Sequence, residues 1–221
     1  MKSNFNRQGM KEVLNKIKEG IIDILSPRMC VACGKEGKYI CEKCGLFLSE
    51  APTVFMAGGL EEVVSAWEYE GLIKNIIFKI KYESMFDAIN ELVEMAFEIR
   101  EPYIPEDTTI TFVPMFKKKE KRRGFNQAEL IAKKVGEITG REVLALLEKI
   151  KDTPSQTELN KEERMVNVKD SFHRKKGINC HNNVLLVDDV WTSGATMQEC
   201  CRVLKKSGVK KVWGFTLART V

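Results

Sequence analysis

The sequence predicts an α/β protein, a mostly parallel sheet flanked by helices, behind a small cysteine-rich N-terminal module. Three observations predict it. From Glu62 to Ala218, runs of strand length alternate with stretches whose apolar residues recur at three- and four-residue spacing. One such run, Val184–Val187, passes into Asp188-Asp189, then a Thr/Ser/Gly turn, then a further helical pattern. Nearer the start, Cys30-Val31-Ala32-Cys33 and Cys41-Glu42-Lys43-Cys44 make two CxxC pairs separated by seven residues.

The elements follow in order. Met1 to Leu25 scatters Lys and Glu among Val13, Leu14, Ile17, Ile21 and Leu25, which reads as an amphipathic helix packed on its own protein rather than on a membrane. Ser49 to Gly59, with Pro52, Gly58 and Gly59, reads as a linker, dividing a module over residues 1–58 from a main domain over 59–221. Glu62 to Tyr69 is a strand. Ile73, Ile76, Ile77 and Ile80 follow helical spacing into Lys81-Tyr82, and Ala88 to Ile99 is a second helix. Thr109 to Val113 is a β-branched strand closed by Pro114. Asn126 caps a helix, with Glu129 three residues on and Gly140 as its stop; Leu130, Ile131, Val135 and Ile138 form its inner face. Val143 to Ile150 leads into another strand. Met197, Cys200, Cys201 and Leu204 mark the last helix, which Gly208 ends, and Val212 to Ala218 is the final strand.

Composition sets outer limits. The chain has 221 residues, 43% hydrophobic and 30% charged, with a formal net charge of +5, an ordinary globular balance. No run of 18 apolar residues and no signal-peptide core occur, so a cytoplasmic protein without membrane insertion is expected. Seven cysteines without an export signal point to thiols or metal rather than disulfides.

The CxxC pairs supply four soft ligands from two tight turns, at Cys30, Cys33, Cys41 and Cys44. Four thiolates with tetrahedral reach predict a closed structural Zn²⁺ site with no open position for chemistry. A redox role needs one CxxC at a helix N-terminus, and an iron–sulfur cluster suits this spacing less well. The other cysteines, Cys200 and Cys201, read as core-facing small hydrophobes.

The acidic pair carries the functional reading. A buried parallel strand ending in Asp188 and Asp189 delivers two carboxylates to the edge of a sheet, where a sugar's hydroxyls or Mg²⁺ would lie. Thr192, Ser193, Gly194, Ala195 and Thr196 then offer small hydroxyls and backbone N–H groups at a helix N-terminus, the setting for a phosphate. Together these make a ribose-5-phosphate site. The plain alternative is a strand ending in a solvated Asp pair, but the continuous strand–loop–helix context favours the site. This pattern is similar to that of the type I phosphoribosyltransferases, whose shared ligand is phosphoribosyl pyrophosphate (PRPP).

A second feature is Lys117-Lys118-Lys119-Glu120-Lys121-Arg122-Arg123, six cations in seven residues between Phe116 and Phe125. Lys117, Lys118, Lys119 and Lys121 form a simple electrostatic run suited to a nucleic-acid backbone, with the aromatics as stacking surfaces for unpaired bases. Arg122 and Arg123 are expected to point toward the anion pocket and neutralise pyrophosphate. The competing reading is a solvated loop. Trp67, Tyr69 and Tyr82 are expected in the core. Arg202, Lys205 and Lys206 fit a solvated helix face. His173, His181 and Cys180 have no partner spacing.

Three blocks resemble the ComF (ComFC-like) proteins, a family named for bacterial competence. They are Val113-Pro114-Met115 with Arg122-Arg123-Gly124-Phe125-Asn126-Gln127-Ala128; Gln156-Thr157-Glu158-Leu159 with Arg164, Asn167 and Phe172; and Val184 to Thr196. With the cysteines in front, the resemblance covers essentially the whole chain. The chain departs from the family pattern at Met115-Phe116, and Trp191 occupies a position that varies. The resemblance implies a phosphoribosyltransferase fold with a zinc-binding module and a role with single-stranded DNA in natural transformation. By it, Asp188 and Asp189 would bind the ribose hydroxyls with or without Mg²⁺, and Thr192 to Thr196 the 5-phosphate. The loop from Pro114 to Lys117 would lie near the pyrophosphate. Gln156 to Arg164 would be a mobile loop closing over PRPP. Three roles follow: a factor binding DNA and PRPP, a working phosphoribosyltransferase akin to glutamine PRPP amidotransferases, or a PRPP-sensing scaffold recruiting a helicase or recombination protein. No nucleophilic Cys follows Met1, so glutamine-dependent amination by this chain alone is not expected. Because this fold often pairs, a homodimer is a candidate assembly. No catalytic residue is assigned.

Overall fold

A computed structural model of the chain describes residues 27–55, 58–153 and 167–220. The expected N-terminal amphipathic helix and the loop residues Gln156 and Arg164 lie outside the described residues. The chain divides into two units, one ending at Phe47 and one starting at Leu48. The second begins ahead of the boundary at 58 suggested by Gly58-Gly59. Val54–Phe55 (β1) pairs antiparallel with Glu62–Glu68 (β2), and Glu50 bridges Trp67, so residues 49–55 are already part of the second unit's sheet.

In the first unit, the chain bridges back on itself between Met29 and Glu36, and a single helical turn, Glu42–Gly45 (α1), starts directly after Cys41. Among its described residues the buried side chains are Cys30, Ile40 and Cys41, too few for a core of its own.

The second unit continues with Gly71–Tyr82 (α2), Ala88–Ile99 (α3), Thr108–Phe112 (β3), Lys117–Arg123 (α4) and Gln127–Thr139 (α5). Leu147–Lys149 (β4), Phe172–Arg174 (β5), Asn183–Trp191 (β6), Ala195–Lys206 (α6) and Lys211–Arg219 (β7) complete it. The main sheet has the order β1-β2-β7-β6-β3; every pairing except β1–β2 is parallel. Strands β2, β3, β6 and β7 read as near-continuous buried runs, as parallel strands covered on both faces must. Adjacent residues of β7 identify the two covers. Phe215 meets Phe97 of α3 edge-on at 5.5 Å, whereas a Cβ built on Gly214 would lie 3.0 Å from Met197 Cε of α6. Successive strand residues face opposite ways, so α3 and α6 lie on opposite faces.

Helix α2 buries Ile73, Ile76, Ile77 and Ile80, each contributing about 1.5–3 kcal/mol when fully removed from water. Helix α5 starts where the Asn126 side chain accepts the Ala128 N–H at 3.1 Å and donates to Val113 C=O at 3.1 Å, which pins the helix to the end of β3. Gly140, at φ +68°, ends it. Ile138, expected on the inner face, is exposed because it falls in the last turn, beyond the sheet. The strand expected within Val143–Ile150 is split: Val143 extends the main sheet by a parallel bridge to Ile110, and β4 leaves it to form a separate antiparallel pair with β5.

That extension creates the crevice. From β3 the chain passes through α5 outward to the edge at Val143, while from β6 it passes through α6 to β7 in the other direction. Connections diverging from two neighbouring strands leave a gap beyond their carboxyl ends. Among the described residues no helix is long and apolar enough to cross a membrane.

Candidate functional site

A cavity of about 300 Å³ opens at that crevice. Its floor is the end of β6, which runs four residues past the apolar run Val184–Val187 and carries Asp188 and Asp189 within the strand, paired as far as Trp191↔Arg219. Thr192, Gly194, Ala195 and Thr196 line the cavity beside the start of α6. Ser193 is outside the lining; its hydroxyl accepts the Ala195 N–H at 3.4 Å and so shapes the turn. Gly194 sits at φ +77°, and a Cβ there would lie 2.2 Å from Trp191 Cζ2. Trp191 is therefore a buried plate under the loop rather than part of its rim. Twelve residues of helix start at Ala195 with no acidic residue in the first turn, leaving the positive end of the dipole for an anion.

The remaining walls come from distant segments. Tyr69 follows β2, Lys81 and Tyr82 end α2, Lys119 and Arg123 come from α4, Gln127 opens α5, and Lys149 and Thr153 come from β4 and beyond. Lys81 Nζ pairs with Asp189 Oδ2 at 2.5 Å, and Gln127 Nε2 donates to the same oxygen at 3.3 Å. Gln127 Oε1 in turn accepts from Arg123 at 2.7 Å, and Arg123 lies over the Tyr82 ring at 5.3 Å. Four cations thus face two carboxylates.

Burial governs the charges. It pulls the Lys81 ammonium down, but Asp189 beside it prevails and holds it above the ordinary lysine range. Burial, with the Asp189 charge next door, pushes Asp188 well above the ordinary aspartate range, although Asp188 Oδ1 accepts the Asp189 N–H at 2.9 Å. Lys149 is lowered by burial and then by Lys119.

Several expected positions fall elsewhere. Lys117, Lys118, Lys121 and Arg122 are exposed on α4, and Pro114 is buried; none lines the cavity. Lys119 turns away from the exposed row, donating to Thr153 C=O and pairing with Asp152 at 3.3 Å. Trp67 is in the core, but Tyr69 and Tyr82 line the cavity, and Tyr82 is 62% exposed. Arg202 is not simply solvated: it bonds Glu199 at 2.6 and 2.7 Å and Asp170 at 2.8 Å. Cys200 and Cys201 are buried, and burial raises both thiols, which suits packing rather than reactivity. Lys81 was missed, yet it lies four residues after Ile77 and eight after Ile73. A lysine continuing the apolar face of a helix is a legible signal.

In the first unit, the four sulfurs of Cys30, Cys33, Cys41 and Cys44 all lie within 4.8 Å of one another, so the group could hold one metal ion. Cys33 and Cys41 Sγ are 3.6 Å apart, and the Cys41 N–H points at Cys30 Sγ at 3.5 Å. Burial works to raise the Cys30 thiol, but the N–H groups of Cys41, Cys33 and Ala32 hold it down to about 6. An all-thiol set fits Zn²⁺. Mg²⁺ fits the acid pair poorly. It takes an octahedral set of oxygens, one or two from carboxylates and the rest from water or phosphate, and here Lys81 and Gln127 already occupy Asp189 Oδ2.

Residues 121–219 match the model of the phosphoribosyl transferase domain. The chain is 26% identical over 200 residues to competence protein F of Haemophilus influenzae, covering 86% of this chain and 84% of that one. It is 24% identical to ComFC of Bacillus subtilis over 89% of this chain and 80% of that one. It is also 24% identical to the DNA utilization protein YhgH of Salmonella typhi, over 87% and 85% respectively. The chain carries a phosphoribosyl transferase domain and is a homologue of the competence proteins F and ComFC.

Proposed function

We propose that this protein binds PRPP in the β6–α6 cavity and engages single-stranded DNA along α4, in the service of DNA uptake. The observation that carries the reading is the joining, at one crevice, of an acidic pair, a Gly194-centred turn opening a helix, and four cations from other segments. The N–H groups at the start of α6 would receive the 5-phosphate, with the turn hydroxyls around it. Asp188 and Asp189 would receive the ribose hydroxyls, and Lys119, Arg123 and Lys149 would face the pyrophosphate. Lys117, Lys118 and Lys121 remain exposed for a nucleic-acid backbone. Nearby aromatics offer stacking surface: Phe78 and Tyr82 are exposed with ring centres 4.8 Å apart, and Phe86 meets Phe125 at 5.8 Å. The four cysteines would hold structural zinc.

Calorimetry with PRPP on wild type and Asp189→Asn tests the binding. The variant should lose about 1.5–3 kcal/mol of binding, the worth of a hydrogen bond to a charged group. Equal affinity would remove the acid pair from the site.

A second reading, turnover of PRPP, is favoured by the same cations, which would stabilise a departing pyrophosphate. Pyrophosphate release with a panel of bases and amines separates it from binding alone; no release with any acceptor leaves the binding role.

A further inference from the structure

We infer that Lys81 is the built-in cation of the sugar site, so that PRPP binds without a divalent metal ion. This rests on the PRPP reading above.

PRPP brings a pyrophosphate close to the carboxylates that would hold its ribose. Anion and carboxylate repel, and a metal ion between them is one remedy. Here a side chain already stands in that place. Lys81 comes from the last turn of α2, far in sequence from β6, and its ammonium closes on Asp189 Oδ2 at 2.5 Å. Side-chain exposure is 19% for Lys81 and 10% for Asp189, so water screens the pair little.

The position is braced from two sides. The apolar row Ile73, Ile77 and Ile80 sets α2 against the unit's core, and Gln127 donates to the same Asp189 oxygen at 3.3 Å. An ammonium has three donors, of which Asp189 takes one; the others suit the oxygens of an entering phosphate. A divalent ion at that same oxygen would have to displace Lys81, and anywhere on the pair it would sit among Lys149, Lys119 and Arg123 as well. Like charge in a partly dry pocket opposes that strongly.

The experiment has two arms. Calorimetry with PRPP is run on the full chain in EDTA and again with Mg²⁺. The expected result is equal affinity within about twofold, with Lys81→Met weakened by about tenfold or more in EDTA and partly restored by Mg²⁺. Wild-type binding that needs Mg²⁺ overturns the inference and leaves the PRPP reading standing. No binding in either buffer overturns the PRPP reading and the inference with it. The second arm needs no folded Lys81 variant. Mn²⁺ added to ligand-free wild type should keep its free-ion electron spin resonance signal. Uptake of Mn²⁺ by wild type that disappears in Asp189→Asn also overturns the inference.

Discussion

Gly194→Ala is the sharpest perturbation of the phosphate turn. Gly194 holds φ +77°, a left-handed conformation that costs a residue with a Cβ about 1–2 kcal/mol. The new methyl would also lie 2.2, 2.6 and 2.8 Å from three carbons of the Trp191 ring, which is buried and cannot swing aside freely. Forcing an extra carbon into a packed site costs about 1–3 kcal/mol more. The sum, about 2–5 kcal/mol, corresponds to a drop of about 4–20 °C in Tm at roughly 2–4 °C per kcal/mol for a chain of this size. Thermal melts by circular dichroism read the drop. Pairing the change with Trp191→Leu removes the obstacle but not the backbone cost, so the double variant should recover about 1–3 kcal/mol relative to additivity. An unchanged melting temperature for Gly194→Ala would refute the claim that this glycine lets the turn lie on Trp191.

Other outcomes follow from the same geometry. Burial and Asp189 raise Asp188 above its unfolded value, so the stability tied to its bound proton is complete below about pH 4 and is lost as pH climbs through the folded value. Asp188→Asn keeps the acceptor for the Asp189 N–H and should lack that decline; parallel pH–melting curves for the two proteins would contradict it. Chelation should make Cys30, Cys33, Cys41 and Cys44 reactive toward a thiol reagent while Cys200 and Cys201 stay protected, with reagent uptake read before and after metal removal. Reversing Lys118 and Lys121 to Glu should weaken single-stranded DNA binding and flatten its dependence on salt, leaving PRPP affinity unchanged; a mobility assay at graded salt reads the first effect.

Most of the fold was legible because its elements carry strong local marks. Helix α3 matches Ala88–Ile99 because the apolar row is uninterrupted, and α5 is bracketed by a side-chain cap and a left-handed glycine. The acidic pair and its turn were legible because they are continuous in sequence. What escaped depends on contacts between distant segments or on weak local signals. Helix α4 has no buried residue, so periodicity is silent; helix-forming Lys and Arg and the left-handed Gly124 make it. The Lys81–Asp189 pair joins residues far apart in the chain, and the Arg202 clamp on Asp170 likewise spans two segments. Tyr82 looked like core by type, but it falls at the helix end where the crevice opens.

The most direct measurement is an amide nuclear magnetic resonance titration with ribose 5-phosphate. The account predicts saturable shifts concentrated in the backbone N–H signals of Thr192 to Thr196, with smaller ones at Asp188 and Asp189. Shifts confined to α4, or none that saturate, would contradict it.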